Sequence, residues 1–215
     1  MVSDSVRAEL RTPRSAAIAG IAFGLLLASA VVLFRLAGPL SAVGDIGWLS
    51  DPSRQRSVRT ALNLVPFAGI AFLWFIGVIR TRLGDREDKL FATVFLGSGL
   101  LFVAMLFIGA SLLGGVLLLE SEGRPLGSDA VTLVEAVAST VFGTFGTRMS
   151  AVFILSATTA GLRTRAVPRW LAVVGYIAAL TLLLTPPISN WSQLVFPLWV
   201  LVMSVVILVT SADDD

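Results

Sequence analysis

Residues 130–162 read AVTLVEAVASTVFGTFGTRMSAVFILSATTAGL. As a helix this run is long enough to cross the ~30 Å hydrocarbon core of a bilayer. It nevertheless carries two charges, Glu135 and Arg148. Arg148 closes a tandem Phe-Gly-Thr repeat, Phe142-Gly143-Thr144-Phe145-Gly146-Thr147-Arg148. A guanidinium at the centre of a membrane helix costs about 2.5–3.5 kcal/mol on insertion scales, so Arg148 is expected to face the bundle interior or a wet cavity. Glu135 lies about 20 Å away by helical rise and on a different face, so the two cannot pair within one straight helix. Each needs another partner.

Outward from this run, five further apolar stretches occupy approximately residues 16–37, 61–79, 90–119, 171–185 and 193–210. Together the six predict an all-α fold, a polytopic integral membrane protein built as a six-transmembrane-helix bundle. The intervening loops are too short to fold alone, so residues 1–215 are expected to form a single membrane domain. Composition agrees: of 215 residues 56% are hydrophobic and 14% charged, and the mean hydropathy is +0.89. Such a chain is too apolar to stay in water.

The residue inventory narrows the chemistry. There is no Cys, which removes disulfides, iron–sulfur clusters and thiolate catalysis, and no His, which removes haem ligation, most catalytic zinc sites and Ser-His dyads. Gly97-Ser98-Gly99 resembles the serine motif of intramembrane rhomboid proteases, but that chemistry requires a histidine on another helix. No catalytic set, cofactor or metal site is therefore expected. The sequence pI near 9.9 comes from basic residues dispersed over short loops. They form no compact patch, so membrane topology explains them and nucleic acid is not an expected partner.

Local signals set the ends of the spans. Ala28-Ser29-Ala30 follows a basic N-terminal region, but the apolar run continues through Val31-Val32-Leu33-Phe34, so a retained signal-anchor is expected over a cleaved peptide. Ala16, Gly20, Gly24 and Ala28 form a small-residue stripe suited to close helix packing. Asp51-Pro52-Ser53 reads as an N-cap followed by Pro at the first helical position, so the second helix can begin well before its apolar part. Residues 90–119 exceed a perpendicular crossing and are expected to tilt, protrude or break near Gly114-Gly115. Pro186-Pro187 closes the fifth span, and Asp213-Asp214-Asp215 follows the sixth. With the N-terminus inside, ten Lys and Arg residues fall on the cytoplasmic side and four, Arg54, Arg56, Arg59 and Arg124, on the other. That excess predicts cytoplasmic N- and C-termini.

The candidate intramembrane polar site comprises Arg148, Glu135, Arg35, Thr144 and Thr147. Arg35 ends the first span at a depth similar to Glu135, and an Arg35–Glu135 pair is the expected contact. Arg148 is to be satisfied by carbonyls of a neighbouring helix, by headgroups or by a ligand. Gly143, Thr144, Gly146 and Thr147 fit either close packing or a broken helix with freed backbone groups. On the opposite side Arg56, Arg59 and Asn63 share a helix face and are the candidate contact for an anionic headgroup. Trp48 and Trp170 are expected as interfacial anchors.

The run Leu64-Val65-Pro66-Phe67-Ala68-Gly69-Ile70-Ala71-Phe72-Leu73-Trp74-Phe75, the loop Arg82-Leu83-Gly84-Asp85-Arg86-Glu87-Asp88 and the turn Val167-Pro168-Arg169-Trp170-Leu171 resemble those of uncharacterised multi-pass membrane proteins common in actinobacteria. The resemblance implies a bacterial cytoplasmic (inner) membrane and brings no activity, ligand or site residue with it. The expected function is that of a non-enzymatic binding, accessory or scaffold protein, working in the lipid bilayer with anionic lipid, further copies of itself or another membrane protein. The alternative is a small oligomeric transporter or channel for an anionic or proton-coupled substrate that uses Arg148 and Glu135. A lipid-acting enzyme lacks the motifs to support it.

Overall fold

The computed structural model describes residues 13–40, 44–83, 89–163, 167–184 and 191–210. Among them the chain is all helical: α1 (Pro13–Ala37), α2 (Pro52–Leu83), α3 (Lys89–Ser121), α4 (Ser128–Thr140), α5 (Thr147–Arg163), α6 (Arg169–Leu184) and α7 (Val195–Thr210). Short 3₁₀ turns occupy Ile46–Leu49 and Ser192–Leu194. A π turn, Val141–Gly146, joins α4 to α5, so that Ser128–Arg163 forms one rod of 36 residues. Five helices, Ser15–Ala37, Pro52–Arg80, Ala92–Ser121, Ser128–Arg163 and Ser192–Val209, are long and apolar enough to cross a membrane. The sixth apolar helix, α6, has 16 residues, or about 24 Å at helical rise.

The ends of these helices follow their local chemistry. α2 begins where Asp51 accepts from the amides of Ser53, at 2.8 Å, and Arg54, at 3.4 Å, with Pro52 at the position that has no amide to satisfy. α1 continues unbroken through Ala28-Ser29-Ala30, and α3 through Gly114-Gly115. Of the tilt, protrusion or break expected of α3, the break does not occur. The rod is not broken at Gly143 and Gly146 either. It widens by one residue into the π turn, where Thr147 returns its amide and its hydroxyl to the carbonyl of Phe142, five residues back, the latter at 3.2 Å. The basic positions Arg7, Arg11, Arg86 and Arg165, the Pro186-Pro187 stop and the acidic tail lie outside the described residues.

The small-residue stripe of α1 is a packing surface. A Cβ on Gly20 would lie 2.0 Å from the Ser204 hydroxyl, and one on Gly24 would lie 2.3 Å from Leu201 and 2.9 Å from the Pro197 carbonyl. Glycine is thus what lets α1 seat directly against the backbone of α7. The centre of the bundle is filled by phenylalanine. Phe72 of α2 lies 4.4 Å from Phe23 of α1, 5.0 Å from Phe153 of α5, and 5.5 Å from both Phe102 of α3 and Phe196 of α7, centroid to centroid. Phe75 and Phe95 extend the cluster at 6.3 Å from Phe72 and 4.6 Å from Phe153. The stacked and edge-on arrangements are those that aromatic quadrupoles favour. The face turned outward is equally apolar, with Trp74, Phe67 and Ile177 all more than half exposed.

Candidate functional site

The polar residues expected to form one site lie in two places. The first is the loop between α1 and α2, which folds back over the end of the bundle. Glu135 of α4 is fully buried. Its Oε1 accepts from the indole Nε1 of Trp48 at 2.6 Å, and its Oε2 accepts from the Gly44 amide at 3.0 Å. Gly44 has φ +91°, a left-handed conformation that suits glycine, and this aims its amide at the carboxylate. Trp48 is positioned by the 3₁₀ turn. Asp45 starts that turn by accepting from the Gly47 amide at 3.2 Å, and the Gln55 side chain donates to the Leu49 carbonyl at its end.

Two arginines hold the rest of the loop. Arg54 donates through Nε to the Ala37 carbonyl at 2.5 Å and pairs through Nη2 with Asp45 at 2.8 Å. Its guanidinium lies across Gly38, whose φ is +116°. The hydrogen bond from Arg54, together with that from the Gly47 amide, keeps the Asp45 carboxyl below the usual carboxylate range. Arg35 donates to the Leu40 carbonyl. The expected Arg35–Glu135 pair is therefore replaced: the carboxylate takes its donors from Trp48 and Gly44, and the guanidinium turns to the loop backbone. Trp48 is not an interfacial anchor, since it is fully buried and spends its indole N–H on Glu135. Trp170 is 55% exposed.

The second place is the π turn. Arg148 is half-buried, and its Nη1 donates to the Thr144 carbonyl on the same rod at 3.1 Å. It lies about 30 Å from Ser128 and about 22 Å from Arg163 along the rod, at 1.5 Å per residue. Packing to α3 gives the same height: a Cβ on Gly146 would lie 3.8 Å from Met105, and one on Gly99 3.2 Å from Phe153. Arg148 thus sits beside the middle of α3. Thr147, on the inward side, lines a cavity of about 40 Å³ with Ser150, Phe142, Phe34, Leu40 and Gln193. That is room for on the order of two or three water molecules. The Thr147 and Ser150 hydroxyls already donate to carbonyls of their own rod, Ser150 to Thr147 at 2.7 Å, and face the space with acceptor capacity only. Neither Arg148 nor Glu135 lines it. Deeper in the bundle the Thr158 hydroxyl and the Trp199 indole N–H are buried and, among the described residues, without hydrogen-bond partners, both against Gly175.

Arg56, Arg59 and Asn63 are all exposed along the first turns of α2. Among the described residues, the ion pair on this helix belongs to Arg54, two residues before Arg56 and on another face. Arg54, in the first turn of α2, and Gly44, in the loop, were not among the candidate site residues read from the sequence. The signals were present in Asp45, the two glycines and the cap at Asp51, all in a segment without hydrophobic periodicity. Among the described residues no cluster of three or more acidic side chains is placed to hold a metal ion. Comparison with protein families, curated proteins and solved structures finds no match to this chain.

Proposed function

We propose that this chain is a non-enzymatic accessory or binding protein of the bacterial inner membrane, with six spans, cytoplasmic termini and no through-path of its own. The observation that carries this is the centre of the bundle, where rings from α1, α2, α3, α5 and α7 pack at centroid distances of 4.4–6.3 Å around Phe72. A pathway for ions would need polar side chains along that axis. The two charges that a transporter would use are engaged elsewhere, Glu135 beneath Trp48 and Arg148 on the flank of the rod. The excess of basic residues on one side of the spans and the resemblance to actinobacterial multi-pass proteins support the location and orientation. Charges at Arg54, Arg56 and Arg59 count against that excess, and the last two are placed to meet acidic headgroups.

The cavity beside the π turn favours the competing transporter function, because a widened turn with hydroxyls nearby is a common feature of binding sites. Its small volume and apolar lining keep it second. Flux through vesicles containing this chain alone separates the two, and none above protein-free vesicles is expected. In the same preparation, native mass spectra should show retained anionic lipid that is at least halved by the Arg56→Gln/Arg59→Gln double substitution. Unchanged retention would remove the headgroup role.

A further inference from the structure

We infer that the Arg148 face of the α4–α5 rod docks a transmembrane helix of a different protein, one carrying an aspartate or glutamate midway along its span. The inference rests on the accessory function proposed above and names its partner by chemistry. Arg148 lies near the middle of a rod long and apolar enough to cross a membrane, beside Phe145, which is 54% exposed. A guanidinium carries five N–H donors in a planar fork. Here one nitrogen has a carbonyl of its own helix at 3.1 Å, and among the described residues no carboxylate reaches it. In lipid the remaining donors have no water to turn to, so an acceptor brought by another chain gains what solvent cannot offer.

Charge decides what that chain is. A second copy does not supply the acceptor at this depth. Glu135, the one carboxylate away from the ends of this chain's spans, is fully buried and holds Trp48 and Gly44. Glu120 and Asp129 lie at the ends of α3 and of the rod, more than about 20 Å from mid-span by helical rise, and the other acids of the sequence fall in loops and terminal segments. A headgroup phosphate lies about 15 Å from mid-bilayer, beyond the length of an arginine side chain. A carboxylate on a neighbouring span meets the fork at the right height and can take two of its N–H groups together. The carbonyl already bound holds the guanidinium close to the rod, so the side chain is partly ordered before the partner arrives.

The test uses the full chain in phosphatidylcholine vesicles, with a donor dye on a single cysteine introduced as Ser121→Cys. The probe is a polyleucine transmembrane peptide carrying an acceptor dye, with a central Asp, Asn or Leu. Energy transfer to the Asp peptide should reach half-maximum at a peptide-to-lipid ratio at least tenfold lower than for the Leu peptide, with Asn between. Arg148→Leu should erase the preference and Arg148→Lys should keep most of it. Equal association of the Asp and Leu peptides with the unsubstituted protein would overturn the inference, and that comparison needs no variant that must fold. Persistence of the preference in Arg148→Leu would also overturn it. So would Arg148-dependent transfer between two labelled copies without peptide, which would make a second copy the occupant. Flux through vesicles of this chain alone would overturn the accessory function while leaving the peptide preference standing; an absent preference with no flux would overturn the docking alone.

Discussion

Glu135→Ala is expected to lower the stability of the folded chain by about 2–4 kcal/mol, the largest effect of any polar substitution here. The substitution leaves the buried Trp48 indole without an acceptor, at about 1–3 kcal/mol, and removes the hydrogen bond of the Gly44 amide, worth about 1 kcal/mol because Gly44 is exposed and water can take the place of the carboxylate there. Water does not easily reach the indole, because both Glu135 and Trp48 have no accessible surface. Glu135→Gln keeps one carbonyl oxygen but turns an amide N–H₂ toward a donor, so its cost should fall between those of the wild type and the alanine variant. Trp48→Phe removes the indole donor but leaves the buried Glu135 carboxylate with the Gly44 amide in its place, so its cost should be comparable to that of Glu135→Ala. Denaturant titration in detergent checks the order. Hydrogen exchange adds a local readout, since the amides of Gly44 to Ser50 should lose protection in Glu135→Ala ahead of the helices. A loop that stays protected in that variant would show that Arg35 and Arg54 hold it without the carboxylate.

Phe72→Ala comes next, at about 2–3 kcal/mol. In a soluble protein Phe→Ala costs about 3–5 kcal/mol, a sum of transfer and cavity terms. Inside a bilayer most of the transfer term disappears, because lipid tails are as apolar as the core. What remains is the void: the volume lost is on the order of 100 Å³, and at about 24 cal/mol per Å³ it gives the stated figure. Phe72 touches rings on four other helices, so the surrounding structure has little room to collapse into the gap. Phe67→Ala on the same helix is the control. Its ring is 62% exposed toward the apolar surroundings, and the change should stay within about 0.5 kcal/mol. Equal effects at the two positions would mean that the ring cluster does not hold the bundle together.

The contrast between Phe67 and Phe72 also marks what hydropathy can and cannot reveal. All six apolar runs were legible, as was the early start of α2, because an Asp-Pro-Ser cap and a long apolar window are local signals. The inward faces were not. A helix apolar all round gives no moment to say which side meets protein and which meets lipid, so the seven-ring centre stayed hidden among thirteen phenylalanines. The α1 stripe was the exception, because Gly20 and Gly24 announce close approach by being small.

Among the described residues Arg35 and Glu135 take other partners than each other. Depth along the helices placed Arg35 and Glu135 near each other, and both do hold the same loop. Depth could not foresee that a 3₁₀ turn would carry Trp48 beneath the surface to take the carboxylate first. The π turn was legible only as an irregularity. Gly143, Gly146 and the threonines permit a break, a bulge or close packing alike, and packing against Met105 of α3 and the Thr147 bond to Phe142 select the bulge.

Whether anything passes through the chain by itself is the direct test of an accessory function. Purified protein reconstituted alone in vesicles should show potassium, chloride and proton fluxes no greater than protein-free vesicles, with ionophore controls confirming that the vesicles are sealed. The contradicting result is flux above that background that disappears in Arg148→Ala or Glu135→Gln while the variant still unfolds cooperatively. That would put both charges on a transport path and return the π turn and its cavity to the centre of the mechanism.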